Sequence, residues 1–178
     1  MNRIMISIIA LFLRSGQKRA MFYKKIKLFH SIGDCVMIQS WKVPLYSKLI
    51  SIGNNVRIAS NVTFCTHDVA HKMLNYLEKN NQYQEMVGCI QIGDNVFIGA
   101  NSTILYNVKI GSNIIIASGS VVSKDLEDGY VYGGVPVRKI GLFEDFVKKR
   151  KIYSNEIHNI NKNEAEYYFW KKFKTERE

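Results

Sequence analysis

Proline is nearly absent: Pro44 and Pro136 are the only two in 178 residues, beside twelve glycines. That composition argues against a disordered or linker-like chain. Cysteine is equally sparse. Cys35, Cys65 and Cys89 have no metal-ligand spacing, and three thiols cannot all pair within one chain. They read as reduced thiols of a cytoplasmic protein. Cys65 invites comparison with a nucleophile, but a packed thiol is the plainer reading. No long apolar run is present. Ile4 to Leu13 is the nearest approach, well short of the roughly 20 apolar residues a membrane-spanning helix needs. It resembles a secretory leader only in outline, because no small-residue cleavage site precedes Lys18-Arg19.

Acidic residues are in deficit, 15 against 25 Lys and Arg, for a formal charge of +10. The imbalance is local: residues 1–33 hold seven Lys/Arg and no Asp/Glu. The segment reads as a helix packed on the end or side of the fold. A second reading lays it as a basic amphipathic helix on an anionic membrane surface, at the inner face of the membrane. Nucleic acid is not expected as a partner, since no binding motif accompanies the charge. At this length one domain is the default, with enough chain to bury a substantial core.

What the chain does have is a period of six. Ile92, Ile98, Ile104, Ile110, Ile116 and Val122 are evenly spaced. Helices repeat at 3.6 and strands at 2, so neither sustains this period. A hexapeptide β-helix does, each hexad giving one short strand and one corner. The residue after each aliphatic is small at Gly93, Gly99, Gly111 and Ala117. The fifth position is small or β-branched at Val96, Ser102, Val108, Ile114 and Ser120. Aliphatic side chains then fill a narrow triangular lumen while small neighbours let the backbone bend. The same register appears at Ile32, Ile38, Ile52, Ile58 and Phe64. It breaks twice: near Trp41 to Leu49, and over a polar stretch from about Asp68 to Gly88 that reads as a protruding loop.

After Leu142 the period is lost. Phe143, Phe146, Val147 and Ile152, and then the aromatics Tyr167 to Phe173, read as amphipathic helices that cap the open prism end. The expected division is therefore a basic helical segment 1–30, a β-helix 31–141 with loop 68–88, and a helical extension 142–178.

The histidines are His30, His67, His71 and His158. His67 stands where the coil yields to the loop, in Phe64-Cys65-Thr66-His67-Asp68, a place suited to a general base. Asp68 could orient the imidazole or stabilise its cation, although adjacent strand residues face opposite sides unless the chain turns. His67 and His71 alone make a weak metal pair.

Ile90 to Ile104, Ile116 to Asp125, the closing run Tyr132-Gly133-Gly134-Val135-Pro136-Val137-Arg138-Lys139-Ile140, and Thr66-His67-Asp68 together resemble the hexapeptide-repeat acetyltransferases. The resemblance covers residues 30–141. The maltose/galactoside O-acetyltransferase branch, with its polysaccharide O-acetyltransferases, is the most similar group. It implies an all-β, left-handed parallel β-helix, an exception to right-handed crossovers. It also implies a homotrimer closed by a cyclic interface, with active sites between prisms. Acetyl-CoA is the implied donor and no metal is required. His67 matches the family's base. Phe97, where many members have Trp, matches the wall beside the pantetheine arm. Gly99 and Ala100 match the stretch facing the thioester carbonyl, and Ala117 and Ser118 the pantetheine contacts. Ser123 and Lys124 match residues near the nucleotide, and Arg138 a basic residue near the CoA phosphates. Gly141 replaces a second arginine, which leaves Lys139 to compensate. Asn107 stands where many relatives have Gly, a change the left-handed region tolerates.

The function implied is transfer of acetyl from acetyl-CoA to a hydroxyl of a sugar or surface-polysaccharide precursor. N-acetylation of an amino sugar or antibiotic is the rival within the same chemistry. A metalloenzyme of the γ-type carbonic anhydrase kind would need three converging histidines. A non-catalytic β-helix scaffold is the third reading. Neither the acceptor nor the acyl chain is named by the sequence.

Overall fold

The structure, a computed structural model, describes residues 2–157, 161 and 164–177, so His158 lies outside the described residues. Three parallel sheets form the body. Strands β1 (Ser31–Ile32), β3 (Ile50–Ile52), β6 (Ile90–Ile92) and β9 (Val108–Ile110) build the first. The second contains β2 (Met37–Ile38), β4 (Arg57–Ile58), β7 (Val96–Ile98), β10 (Ile114–Ile116) and β12 (Tyr130–Gly133), with β13 (Arg138–Leu142) antiparallel at its edge. The third contains β5 (Thr63–Cys65), β8 (Thr103–Leu105) and β11 (Val121–Val122). Successive hexads fall in successive sheets, so three of them complete one coil of a prism.

The register shows how the coils stack. Ile92 pairs with Ile52 and Ile110, Ile98 with Ile58 and Ile116, and Ile104 with Phe64 and Val122. The intact coils therefore repeat at eighteen residues. The step from Phe64 to Ile92, twenty-eight residues in the sequence, is one corner of the prism with a long insertion in it. Ile52, Ile58, Ile98, Ile104 and Ile116 are almost wholly buried, and so are the fifth-position residues Val56, Val96, Ser102, Ile114 and Ser120. The lumen is thus filled from two positions of every hexad.

Two backbone demands recur along the prism. A Cβ on Gly53 would stand 2.6 Å from the Gly93 carbonyl oxygen of the next coil, so only glycine fits that close approach. The fourth position has positive φ throughout: Cys35, Asn55, Asn61, Asn95, Asn101, Asn107, Asn113 and Gly119. Asparagine tolerates this region because its short amide can bond locally. Here the amides bond across coils. Asn55 donates to Asn95 at 2.9 Å, Asn95 to Asn113 at 2.9 Å, and Asn61 to Asn101 at 3.2 Å.

Among the described residues five α-helices accompany the prism, so the all-β description holds for the prism and not for the chain. α1 (Arg3–Phe12) is capped by Asn2 and α2 (Gly16–Lys25) by Ser15. Arg19 of α2 is buried. Its Nε donates to the Ala10 carbonyl at 3.0 Å, and Nη1 to those of Ile38 and Gln39 at 3.1 and 2.8 Å. One guanidinium thereby satisfies carbonyls at the open end of the coil and holds α1 to α2. α3 (Ala70–Leu77) lies inside the insertion, where the sequence suggested only a loop. Residues Met1–Phe143 form one compact unit and Glu144–Glu178 a second. The helices expected at the end of the chain are α4 (Phe143–Ile157) and α5 (Ala165–Thr175).

Asn95→Ala should destabilise the protein more than Asn95→Gly. Both lose the inter-coil amide bonds, at about 0.5–1.5 kcal/mol each. Alanine alone adds roughly 1–2 kcal/mol for the left-handed backbone. Urea denaturation of the two variants checks the order, and equal stabilities would remove the backbone argument.

Candidate active site

His67 stands at the mouth of the long insertion. The Asp68 N–H donates to the Met86 carbonyl at 3.0 Å, and the Gly88 N–H to the Thr66 carbonyl at 2.9 Å. These bonds make His67 and Val87 an antiparallel bridge. The two ends of the insertion are thus zipped together, and the His67 backbone is fixed to the rigid coil. Its imidazole meets the Tyr46 ring edge-on, with centroids 5.2 Å apart and planes at 88°. Nδ1 is buried without a hydrogen-bond partner among the described residues. That leaves Nε2 as the nitrogen through which the ring can meet a substrate. The Thr66 hydroxyl beside it is likewise buried and unpartnered.

Asp68 does turn, as adjacent residues in one strand would not. Its Oδ1 accepts from the Ala70 N–H at 3.0 Å and its Oδ2 from the Tyr106 hydroxyl at 2.7 Å. The Tyr106 bond is the main reason its carboxyl lies below the ordinary carboxylate value. The Ala70 bond adds to this, burial opposes it, and the charges of His71 and His67 contribute less. Asp68 thus acts on His67 through charge, while its hydrogen bonds go elsewhere. The same bond raises the Tyr106 phenol. Tyr46 donates to Glu85 Oε2 at 2.7 Å, which raises its phenol and ties the insertion back to the first coil.

Tyr46, Glu85 and Tyr106 were not singled out by sequence reasoning. His67 follows β5 and Tyr106 follows β8 of the third sheet, and Tyr46 meets His67 from the interruption before β3. His71 lies on α3 near Asp68. Among the described residues no three His, Cys, Asp or Glu side chains form a group that could hold a metal.

Phe97, Gly99, Ala100, Ala117 and Ser118 line a different corner, between the second and third sheets, whereas Ser123 and Lys124 follow the third sheet, as His67 does. Phe97 points outward from β7, 40% exposed, flanked in the sheet by Arg57 and Ile115. A Cβ on Gly99 would stand 2.4 Å from the Ser118 nitrogen, so coils touch here. The Gly119 N–H donates to the Ala100 carbonyl at 2.8 Å, which fixes the stacking.

This corner differs chemically from its neighbour. Between the first and second sheets, each third-position N–H is capped by a side chain of the following coil. Asp34 donates to Asn54, Asn54 to Asp94, Asp94 to Ser112 and Ser112 to Asp128, all within 2.6–3.0 Å. Between the second and third sheets the equivalent N–H groups of Ser60, Ala100 and Ser118 have no such partner among the described residues. Ala100 stands over Ser60 and offers no acceptor. The result is a column of backbone donors without side-chain caps at the corner that follows Phe97, a chemistry fit to receive amide or thioester oxygens.

Ala117 packs against β12, its N–H donating to the Tyr132 carbonyl at 2.8 Å. Ser123 and Lys124 are exposed after β11, and Arg138 is exposed on β13. Lys124 and Arg138 have no ion-pair partner among the described residues, so both are available to an anion. Lys139 is engaged, donating to Glu127 Oε2 at 2.8 Å and lying over the Tyr130 ring. A cavity of about 390 Å³ between α2 and the first coils is rimmed by Trp41, ends at Phe64 and reaches Ser60 and Asn61 at the corner between the second and third sheets.

Residues 89–124 match the bacterial transferase hexapeptide family (six repeats). Protein CapG of Staphylococcus aureus is 37% identical over 131 residues, 72% of this chain and 73% of CapG. The chain belongs to the hexapeptide-repeat transferase family. Galactoside O-acetyltransferase of Escherichia coli (strain K12) is 36% identical over 129 residues, 71% of this chain. The hexapeptide-repeat chain spans 52% of that enzyme, and 56% of YvoF of Bacillus subtilis (strain 168), which is 36% identical over 107 residues and 60% of this chain. It thus spans about half the length of two of these three relatives. A solved galactoside acetyltransferase in complex with coenzyme A superposes with a TM-score of 0.56 at 26% identity, covering 82% of each chain.

Tyr106→Phe should move the Asp68 carboxyl up toward its ordinary value, read by NMR titration of that carboxyl. A lowered folded-state pKa gives stability that is present above the unfolded value and lost as pH falls through the folded one. The variant should therefore lose less stability in acid from this group. A carboxyl midpoint unchanged from wild type would remove Tyr106 as the cause.

Proposed function

We propose that the chain is an acetyl-CoA-dependent O-acetyltransferase acting on a hydroxyl of a sugar or surface-polysaccharide precursor, with residues 31–141 as the catalytic body. The observation that carries the reading is His67: a ring held by the coil and Tyr46, with Nδ1 buried without a partner among the described residues and an ionised Asp68 beside it. Likeness to galactoside O-acetyltransferase, and to a solved relative in complex with coenzyme A, supports the choice of donor and acceptor class. Family likeness also supports left-handed winding.

In the proposed reaction, Nε2 of His67 takes the proton from the acceptor hydroxyl as that oxygen forms its bond to the thioester carbonyl carbon. The carbonyl oxygen becomes an oxyanion and accepts from the Ala100 N–H. The C–S bond then breaks, and the imidazolium returns its proton to the leaving CoA thiolate. Asp68 stabilises the intervening imidazolium by charge. Phe97, Gly99, Ala117 and Ser118 receive the pantetheine arm along the open donors, while Ser123, Lys124 and Arg138 meet the nucleotide and phosphates. Holding both reactants in place removes much of the entropic barrier.

His67 and the Ala100 column lie at different corners of one prism, with the third sheet between them. One chain therefore supplies two half-sites. A cyclic trimer would join the His67 corner of one copy to the Ala100 corner of the next.

Thiol release from acetyl-CoA, measured across sugars, oligosaccharides, amino sugars, simple amines and chloramphenicol-like drugs, tests the reading. Acceptor-dependent release should fall about 10²–10⁴-fold in His67→Ala. Release that survives the substitution would take His67 out of the mechanism, and release with amines alone would make this an N-acetyltransferase. Arg138→Gln should raise KM for acetyl-CoA with little change in kcat, because a phosphate contact remote from the carbonyl binds ground state and transition state alike.

A further inference from the structure

α1 is apolar on its inner and its outer side. Its inner side buries Ile6 and Ala10, and the Ser7 hydroxyl accepts from the Val43 N–H at 3.3 Å. Its outer side carries Ile4, Met5, Ile8, Leu11 and Phe12, which are 64, 48, 53, 51 and 77% exposed. At 100° per residue these five share an arc of about 120° that no polar side chain enters. Five large exposed apolar side chains in one patch mark a contact surface.

The charges around the patch identify the occupant. Arg3 begins the helix, and Arg14 and Lys18 follow its end, all exposed. Neither α1 nor α2 carries an acidic residue. A second copy docked face to face would bring these cations against their equivalents, and like charges across an interface disfavour it. An anionic lipid surface complements both features. It offers acyl chains to the apolar arc and headgroup charge to the flanking cations. Ten residues rise only about 15 Å, half a bilayer core, and no helix among the described residues is long and apolar enough to cross a membrane.

We propose that α1 lies flat on an anionic membrane surface, with Ile4, Ile8, Leu11 and Phe12 inserted between headgroups and Arg3, Arg14 and Lys18 on the phosphates. The inference does not depend on acetyl transfer. It would place the body of the protein beside acceptors carried at a lipid surface.

Flotation with vesicles tests it, using phosphatidylcholine containing about one-third phosphatidylglycerol against phosphatidylcholine alone. Wild type should float with the anionic vesicles, about tenfold less with the neutral ones, and less at raised salt. Ile8→Gln/Phe12→Gln should cut binding about tenfold or more while leaving the circular-dichroism melt unchanged, since both side chains are exposed. Arg14→Gln/Lys18→Gln should keep the fold and lose the preference for anionic lipid. No flotation, or flotation unaffected by both double variants, would overturn the proposal. So would a fall in molecular mass of Ile8→Gln/Phe12→Gln on gel filtration, which would make the patch a contact between copies.

Discussion

The stacking of one coil on the next is the constraint on which the rest depends. Parallel strands sit about 4.8 Å apart, and each coil must close its triangle within that rise. Corner backbones therefore touch, as at Gly53 over Gly93 and Gly99 under Ser118. The same closure turns the fourth residue of each hexad into the left-handed region, where asparagine recurs and bonds to its counterpart above or below. Aliphatic and β-branched residues fill what remains of the lumen. None of these positions can drift by one residue without turning its core side chains to the surface.

Such a lattice is uniform, and the candidate site arises where uniformity is broken. At one corner the side chains of Asn54, Asp94, Ser112 and Asp128 absorb the backbone donors of the coil before. At the next corner, among the described residues, the equivalent donors of Ser60, Ala100 and Ser118 have no such cap. The distinction lies in a third-position side chain that either reaches back or does not. A catalytic scaffold can thus be built by omission, because the repeat already presents an amide at the same place in every coil.

The second break is the insertion after β5. It is tied down twice, by the bridge between His67 and Val87 and by the bond from Tyr46 to Glu85. The Tyr106–Asp68 bond adds a link to the coil beyond. His67 consequently sits among residues from three coils and the insertion. Its ring is oriented by packing, while the nearest carboxylate is held by other donors and acts at a distance.

By itself the sequence determined the prism, the two interruptions, the identity of the inward residues and the placement of His67 at the edge of the insertion. These follow from a period of six, which is a local property written once per hexad. It also indicated helices at both ends. Tertiary structure decided what depends on residues far apart in the chain. The Phe64 to Ile92 step is a single corner with an insertion because Phe64 pairs with Ile104 and Ile52 with Ile92. Asp68 faces Tyr106, thirty-eight residues on. α3 forms within a segment whose polarity suggested only a loop, and Arg19 is buried because the first coil leaves carbonyls that need a donor. A period reports which way a side chain points. What it meets there depends on the coil stacked against it.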